Sequence, residues 1–319
     1  MPSGIDLYIP FPSRISADAD AADARHLAWP CSFGLLDTAA ARRRHAAARY
    51  AELAARFQPR ATGAALDLCV DQMSWYFVFD DYFDGPGSAP GPAREQVAAT
   101  TAVLDHPPGP DAAPMVLAFA DLWRRSHEGM SPAWRARAAR HWRAYLDGYV
   151  VEADNRARGR RFHVPDYLRL RARTIGGQPV LDLVERIGRF EVPSRAFTSA
   201  HLTTMRRTIL ELITIQNDIW SLEKEEAIGD LHNIVLILER ERECTRSRAV
   251  DLAAGLIRQR SEDYLALERA LPDLHAALGL DRAERIAVER YATDGMRTLA
   301  RGNYDWSERT GRYAAEVFR

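Results

Sequence analysis

Apolar positions recur at intervals of three and four residues along most of this chain, and no stretch alternates as a half-buried strand does. The run from Asp67 to Asp84 contains neither Gly nor Pro, so the spacing predicts an unbroken helix up to Gly85 and Pro86. After an extended, proline-containing leader, Asp37 reads as the cap of an Ala- and Arg-rich helix through Phe57, which Pro59 ends. Ser131 and Pro132 read as the N-cap and first-turn proline of a helix on which Trp134, Ala138, Trp142, Tyr145 and Tyr149 recur. Further helical stretches are expected at 165–189, 194–225, 246–271 and 281–300, with Gly/Pro-rich loops at 85–92 and 106–114. No internal repeat or long linker divides the chain. The expected fold is all-α, a helical bundle forming a single domain over residues 1–319.

Two polar patterns stand out from these helices. Asp80 and Asp84 lie four residues apart, offset by about 40° around a helix, so both carboxylates reach one cation, with Asp81 turned more to the side. Met73, Tyr76 and Phe77 form an apolar wall on the same face. Acid at a helix C-terminus opposes the macrodipole, and neighbouring carboxylates repel one another unless a cation is present. In the second pattern Asn217, Ser221 and Glu225 fall at i, i+4 and i+8, a stripe about 80° wide that offers an amide oxygen, a hydroxyl and a carboxylate. Lys224 beside it is a point charge suited to phosphate oxygens. Hard oxygen donors of this kind suit Mg²⁺ shared with a diphosphate.

Together these residues resemble the bacterial class I terpene synthases, or terpene cyclases. The resemblance rests on the DDxxD pattern Asp80–Asp84, preceded by the aromatic run Trp75 to Phe79, and on the NDxxSxxKE pattern Asn217–Glu225, followed by Gly229 to Asn233. It extends to Arg171 to Gly176 and to Trp306 with Arg312 and Tyr313. The resemblance implies a class I terpenoid synthase bundle around a central apolar cavity. It implies Mg²⁺, three ions in the closed complex, held by Asp80 and Asp84 from one wall and by Asn217, Ser221 and Glu225 from the other. Arg171, Lys224, Arg312 and Tyr313 would contact the diphosphate, with Asp80 and Arg171 as the catalytic pair. Arg171 would couple the leaving group to a helix break at Ile175–Gly177. Ala172 stands where the family commonly has a second arginine, which leaves Arg171 and Arg173 as alternative sensors.

Such chemistry needs an apolar cavity that excludes water from a carbocation, and aromatic faces stabilise the cation without attacking it. Phe57, Phe77 and Trp306 are the candidates. The expected substrate is farnesyl diphosphate, cyclised to a sesquiterpene hydrocarbon or alcohol, with geranyl and geranylgeranyl diphosphate as neighbouring alternatives. A chain-elongating prenyltransferase shares the metal chemistry but resembles a design with two DDxxD motifs. A non-catalytic helical scaffold is the remaining alternative.

Composition narrows the picture further. Net charge is −1, from 43 Lys+Arg against 44 Asp+Glu, so no global field favours nucleic acid or an anionic membrane. Three scattered cysteines, Cys31, Cys69 and Cys244, suit neither a disulfide framework nor a zinc site and point to a reducing cytoplasm. Residues Met1 to Asp6 lack a basic segment leading into an apolar one, and no stretch approaches the ~20 apolar residues of a membrane span. The expectation is a cytoplasmic monomer or homodimer whose partner is a small-molecule isoprenyl diphosphate.

Overall fold

The computed structural model describes residues 7–84, 89–227 and 229–313, and among these there are helices and loops but no strand. The leader is not wholly extended: α1 (Ala19–Arg25) and α2 (Ala28–Ser32) lie within it. The single helix expected from Asp37 to Phe57 is two, α3 (Ala39–Ala47) and α4 (Tyr50–Phe57), and Thr38 rather than Asp37 caps the first by accepting from Ala41 N at 3.0 Å. Arg49 between them is left-handed, φ 56°. The carbonyls freed by this break are taken by the C-terminal segment: Gly311 N donates to Ala47 O, and the Trp306 indole and Thr310 hydroxyl donate to Ala48 O, at 2.8–3.0 Å. A local pattern cannot show partners about 260 residues away.

Helix α5 (Gly63–Phe83) carries the aspartates at its C-terminal end. Two helices absent from the periodicity reading follow, α6 (Pro90–Ala102) and α7 (Pro114–His127); both start on a proline, and the first begins inside the loop expected at 85–92. Helix α8 (Pro132–Ala157) is capped by Ser131 as expected. The stretch 165–189 divides into α9 (Val164–Thr174) and α10 (Gly177–Gly188) at Gly176, whose φ of 75° favours glycine. A short α11 (Ser194–Phe197) precedes α12 (Ala200–Ala227), and α13 (Ile234–Glu241), α14 (Arg246–Arg269) and α15 (Leu271–Ala277) come next. The last expected helix is interrupted. An Asp281–Glu284 capping box opens α16 (Arg282–Arg290), a π-helical turn spans Tyr291–Arg297, and α17 (Thr298–Ser307) carries the chain to the cavity.

Six walls surround the centre. Helix α4 packs on α5 and α17, α17 on α12, α12 on α9, and α9 on α8. Aromatic contacts close the circuit between α8 and α5. Trp75 lies 4.4 Å from Phe79 and 5.8 Å from Trp142 between ring centroids, and Phe79 meets Tyr149 edge-on at 5.1 Å. Such pairs contribute about 0.5–1.5 kcal/mol each beyond buried area, so this seam fixes the aspartate helix against its neighbour. No described helix is long and apolar enough to cross a membrane.

Candidate active site

The walls enclose a cavity of about 190 Å³. Its deeper lining includes Phe57, Met73, Val180, Ile213 and Leu299, and its mouth carries both polar patterns. Asp80, Asp81 and Asp84 bring carboxylate oxygens within 4.8 Å of one another at the end of α5. Asp80 and Asp84 line the cavity; Asp81 does not, though its carboxylate stays beside theirs. Arg312 Nη2 reaches Asp80 Oδ2 at 2.7 Å and Asp81 Oδ1 at 3.0 Å, holding the two together. Burial and the neighbouring Asp80 raise the Asp84 pKa, against the pull of Lys224.

On α12 the expected stripe forms. Ser221 Oγ lies 2.8 Å from both the Asn217 carbonyl and Glu225 Oε1. Asn233 Nδ2 donates to Glu225 Oε2 at 2.8 Å. Burial, and then the charge of Asp218, push the Glu225 carboxyl up. Asp218 turns away from the stripe. Its Oδ2 accepts from Ile234 N at 2.7 Å and lies 2.7 Å from the Tyr167 hydroxyl, so it anchors the segment carrying Asn233.

The two clusters face each other across the rim. Lys224 Nζ on α12 contacts Asp84 Oδ2 at 2.8 Å. Arg312 holds the aspartates while Asn217 Nδ2 donates to the hydroxyl of Tyr313 at 3.0 Å, so consecutive C-terminal residues bridge both walls. Arg171 lines the cavity and donates to Asn217 Oδ1 at 3.3 Å and Thr174 Oγ1 at 3.2 Å. Of the two alternatives, Arg171 lines the cavity and Arg173 is exposed. Burial pulls the Arg171 pKa down, but Tyr167, Glu152 and Asp218 outweigh it and raise it above the usual range. Below this rim Phe57, Phe77 and Trp306 reach the cavity as expected. Phe77 also stacks on Tyr50 at 4.2 Å and has the Arg312 guanidinium 4.4 Å from its ring centre.

Sequence reasoning missed Glu152, Arg156 and Asn303, which line the cavity, and the part played by Asn233. Tyr145 and Tyr149 were legible as a helical face but not as cavity lining. For Glu152 and Arg156 a signal existed in their spacing from Tyr149 on the same face of α8.

A helical circuit with opposed oxygen clusters over an apolar hollow defines a metal-binding enzyme of the terpenoid class, and comparison with known proteins agrees. The profile of terpene synthase family 2, C-terminal metal binding, matches residues 71–263. A pentalenene synthase of Streptomyces arenae is 50% identical over 99% of this chain and 94% of its own length. A (-)-beta-caryophyllene synthase ((2E,6E)-farnesyl diphosphate cyclizing) of Saccharothrix espanaensis is 41% identical over 99% of this chain and 90% of its own. The crystal structure of linalool/nerolidol synthase from Streptomyces clavuligerus superposes with a TM-score of 0.86 at 36% identity, covering 95% of this chain and 100% of that one. This chain belongs to the terpene synthase family, enzymes that act on prenyl diphosphates.

Proposed function

We propose that the protein ionises farnesyl diphosphate and cyclises its hydrocarbon chain to a sesquiterpene, releasing diphosphate. The observation that carries this reading is the meeting of both oxygen clusters at one rim, bridged by Lys224–Asp84 and by Arg312 and Tyr313. Asp80 and Asp84 on one wall and Asn217, Ser221 and Glu225 on the other supply the hard oxygen donors that Mg²⁺ requires, and three ions is the number the family resemblance implies. Bound there, the metal neutralises charge on the departing diphosphate. Arg171, Lys224, Arg312 and Tyr313 donate to the diphosphate oxygens and orient them, so Asp80, through the metal, and Arg171 both act on the leaving-group side of the bond that breaks.

Beneath them the apolar lining folds the chain and excludes water, and the faces of Phe57, Phe77 and Trp306 stabilise positive charge by about 1–2 kcal/mol where desolvated. The catalytic unit is one domain spanning residues 1–319, as monomer or homodimer. With Cys31, Cys69 and Cys244 free, the reducing cytoplasm is its compartment. The test is to offer purified protein geranyl, farnesyl and geranylgeranyl diphosphate separately with Mg²⁺ and to identify products by gas chromatography. A cyclic fifteen-carbon product is expected; turnover confined to another chain length would overturn the substrate assignment. Added isopentenyl diphosphate should yield no longer product.

A further inference from the structure

Along α17 the residues lining the cavity are Leu299, Asn303 and Trp306. Leu and Trp suit a cavity for an ionised hydrocarbon; the amide between them does not follow from that requirement. Asn303 is buried, and its Nδ2 donates to Gln216 Oε1 at 2.9 Å. Gln216 is wholly buried on α12, and its own Nε2 has no partner. Keeping this pair inside the protein costs stability that two apolar residues would spare.

With Nδ2 engaged by Gln216, the acceptor Oδ1 is the amide atom left for the cavity. Phenols on the other walls are already engaged. The Tyr76 hydroxyl donates to the Gly176 carbonyl at 3.0 Å, and the Tyr145 and Tyr149 hydroxyls bond to each other at 2.8 Å. A lone clamped acceptor between apolar side chains is a poor holder for an ordered water, which needs two to four polar partners. It is well suited to act as a fixed dipole toward positive charge, because its orientation is set before the charge develops.

We propose that Asn303, locked by Gln216, determines the product: its carbonyl dipole favours carbocations whose charge lies against α17 between Leu299 and Trp306, and so selects one order of ring closure. This inference rests on the cyclase reading above. Asn303→Leu removes the dipole but keeps a branched side chain, Asn303→Ala removes it without any clash, and Asn303→Asp keeps an acceptor of the same size to which Gln216 Nε2 can turn and donate. Each variant is checked for helical content, and both diphosphate release and product distribution are measured on the diphosphate the parent prefers. Product shares are compared among the products each variant forms, so a change in the overall rate of release does not enter the comparison. The ratio of the parent's main product to the other products should fall at least about tenfold in the leucine and alanine variants, about 1.4 kcal/mol in the partition, and that product should remain dominant in the aspartate variant. An unchanged product mixture in either apolar variant overturns the proposal, as does an aspartate variant that gives the leucine variant's mixture. A parent that releases diphosphate from no isoprenyl diphosphate overturns the cyclase reading itself, and the proposal with it.

Discussion

Arg312 shows how much one side chain connects at this rim. Its Nη1 donates to the Tyr50 hydroxyl at 2.8 Å, its Nη2 joins Asp80 and Asp81, and its guanidinium lies over Phe77. Burial alone pulls its pKa down; Tyr50, Asp81 and Asp80 reverse that and hold the cation firmly charged. Asp80 and Asn217 are the sharpest tests of the two oxygen clusters. Asp80→Ala and Asn217→Ala should each lower kcat at least about 100-fold, the scale lost when one preorganised electrostatic group is removed, while circular dichroism keeps its helical signal. Full turnover in either variant would contradict the metal assignment. The two oxygen clusters were legible in the sequence because carboxylate, amide and hydroxyl groups at i, i+4 and i+8 have few other reasons to share a face. Asn233 was not, since its effect is to hold Glu225 through a loop whose path no spacing encodes.

At the scale of elements, the periodic core helices were readable and their interruptions were not. The break at Arg49 is sustained by donors from Trp306, Thr310 and Gly311, and in the π-helical turn a Cβ added at Gly295 would lie 3.3–3.4 Å from the methyls of Val184 and Leu181; both depend on distant packing. Close approach also sets α9. A Cβ on Gly148 would lie 2.3 Å from Thr174 Cγ2, so α8 and α9 touch where Thr174 accepts from Arg171. Gly148→Ala gains up to about 1 kcal/mol of helix propensity against about 1–3 kcal/mol of overpacking. Urea unfolding should therefore show a modest net loss, and kcat should fall much further, toward ~100-fold, because Arg171 is displaced. Parent-like kcat would show that Arg171 is set independently of this contact.

Away from the site, α10 buries Glu185 beside Arg137, with Val192 N donating to Oε1 at 2.7 Å. Burial raises its pKa from 4.5 to about 7, outweighing Arg137. A carboxyl raised by folding binds its proton more tightly in the native state, so it contributes stability below the unfolded pKa that is lost as pH rises through the folded one. Between pH ~4.5 and ~7 the parent should lose stability relative to Glu185→Gln, by no more than about 1.4 kcal/mol per unit. Urea midpoints across that range read it, and parallel curves for the two proteins would refute it.

For the molecule as a whole, the aspartates of α5 and the cations of α12 and the C-terminal segment neutralise one another across the mouth. Under the proposed function the ion would claim Asp80 and Asp84 while the anion claims Arg312 and Lys224, so metal and diphosphate would take over these partners together. Mg²⁺ and diphosphate added jointly, at about 100 times the apparent dissociation constant of diphosphate in saturating Mg²⁺, should stabilise the fold by about 2.7 kcal/mol and raise Tm by a few degrees, with a smaller shift for the same concentration of either alone. No shift from the pair would argue that the rim does not load. Under the proposed function, withdrawing magnesium with a chelator gives up that increment but leaves Lys224–Asp84 and Arg312–Asp80 paired across the mouth, so turnover stops while the fold persists.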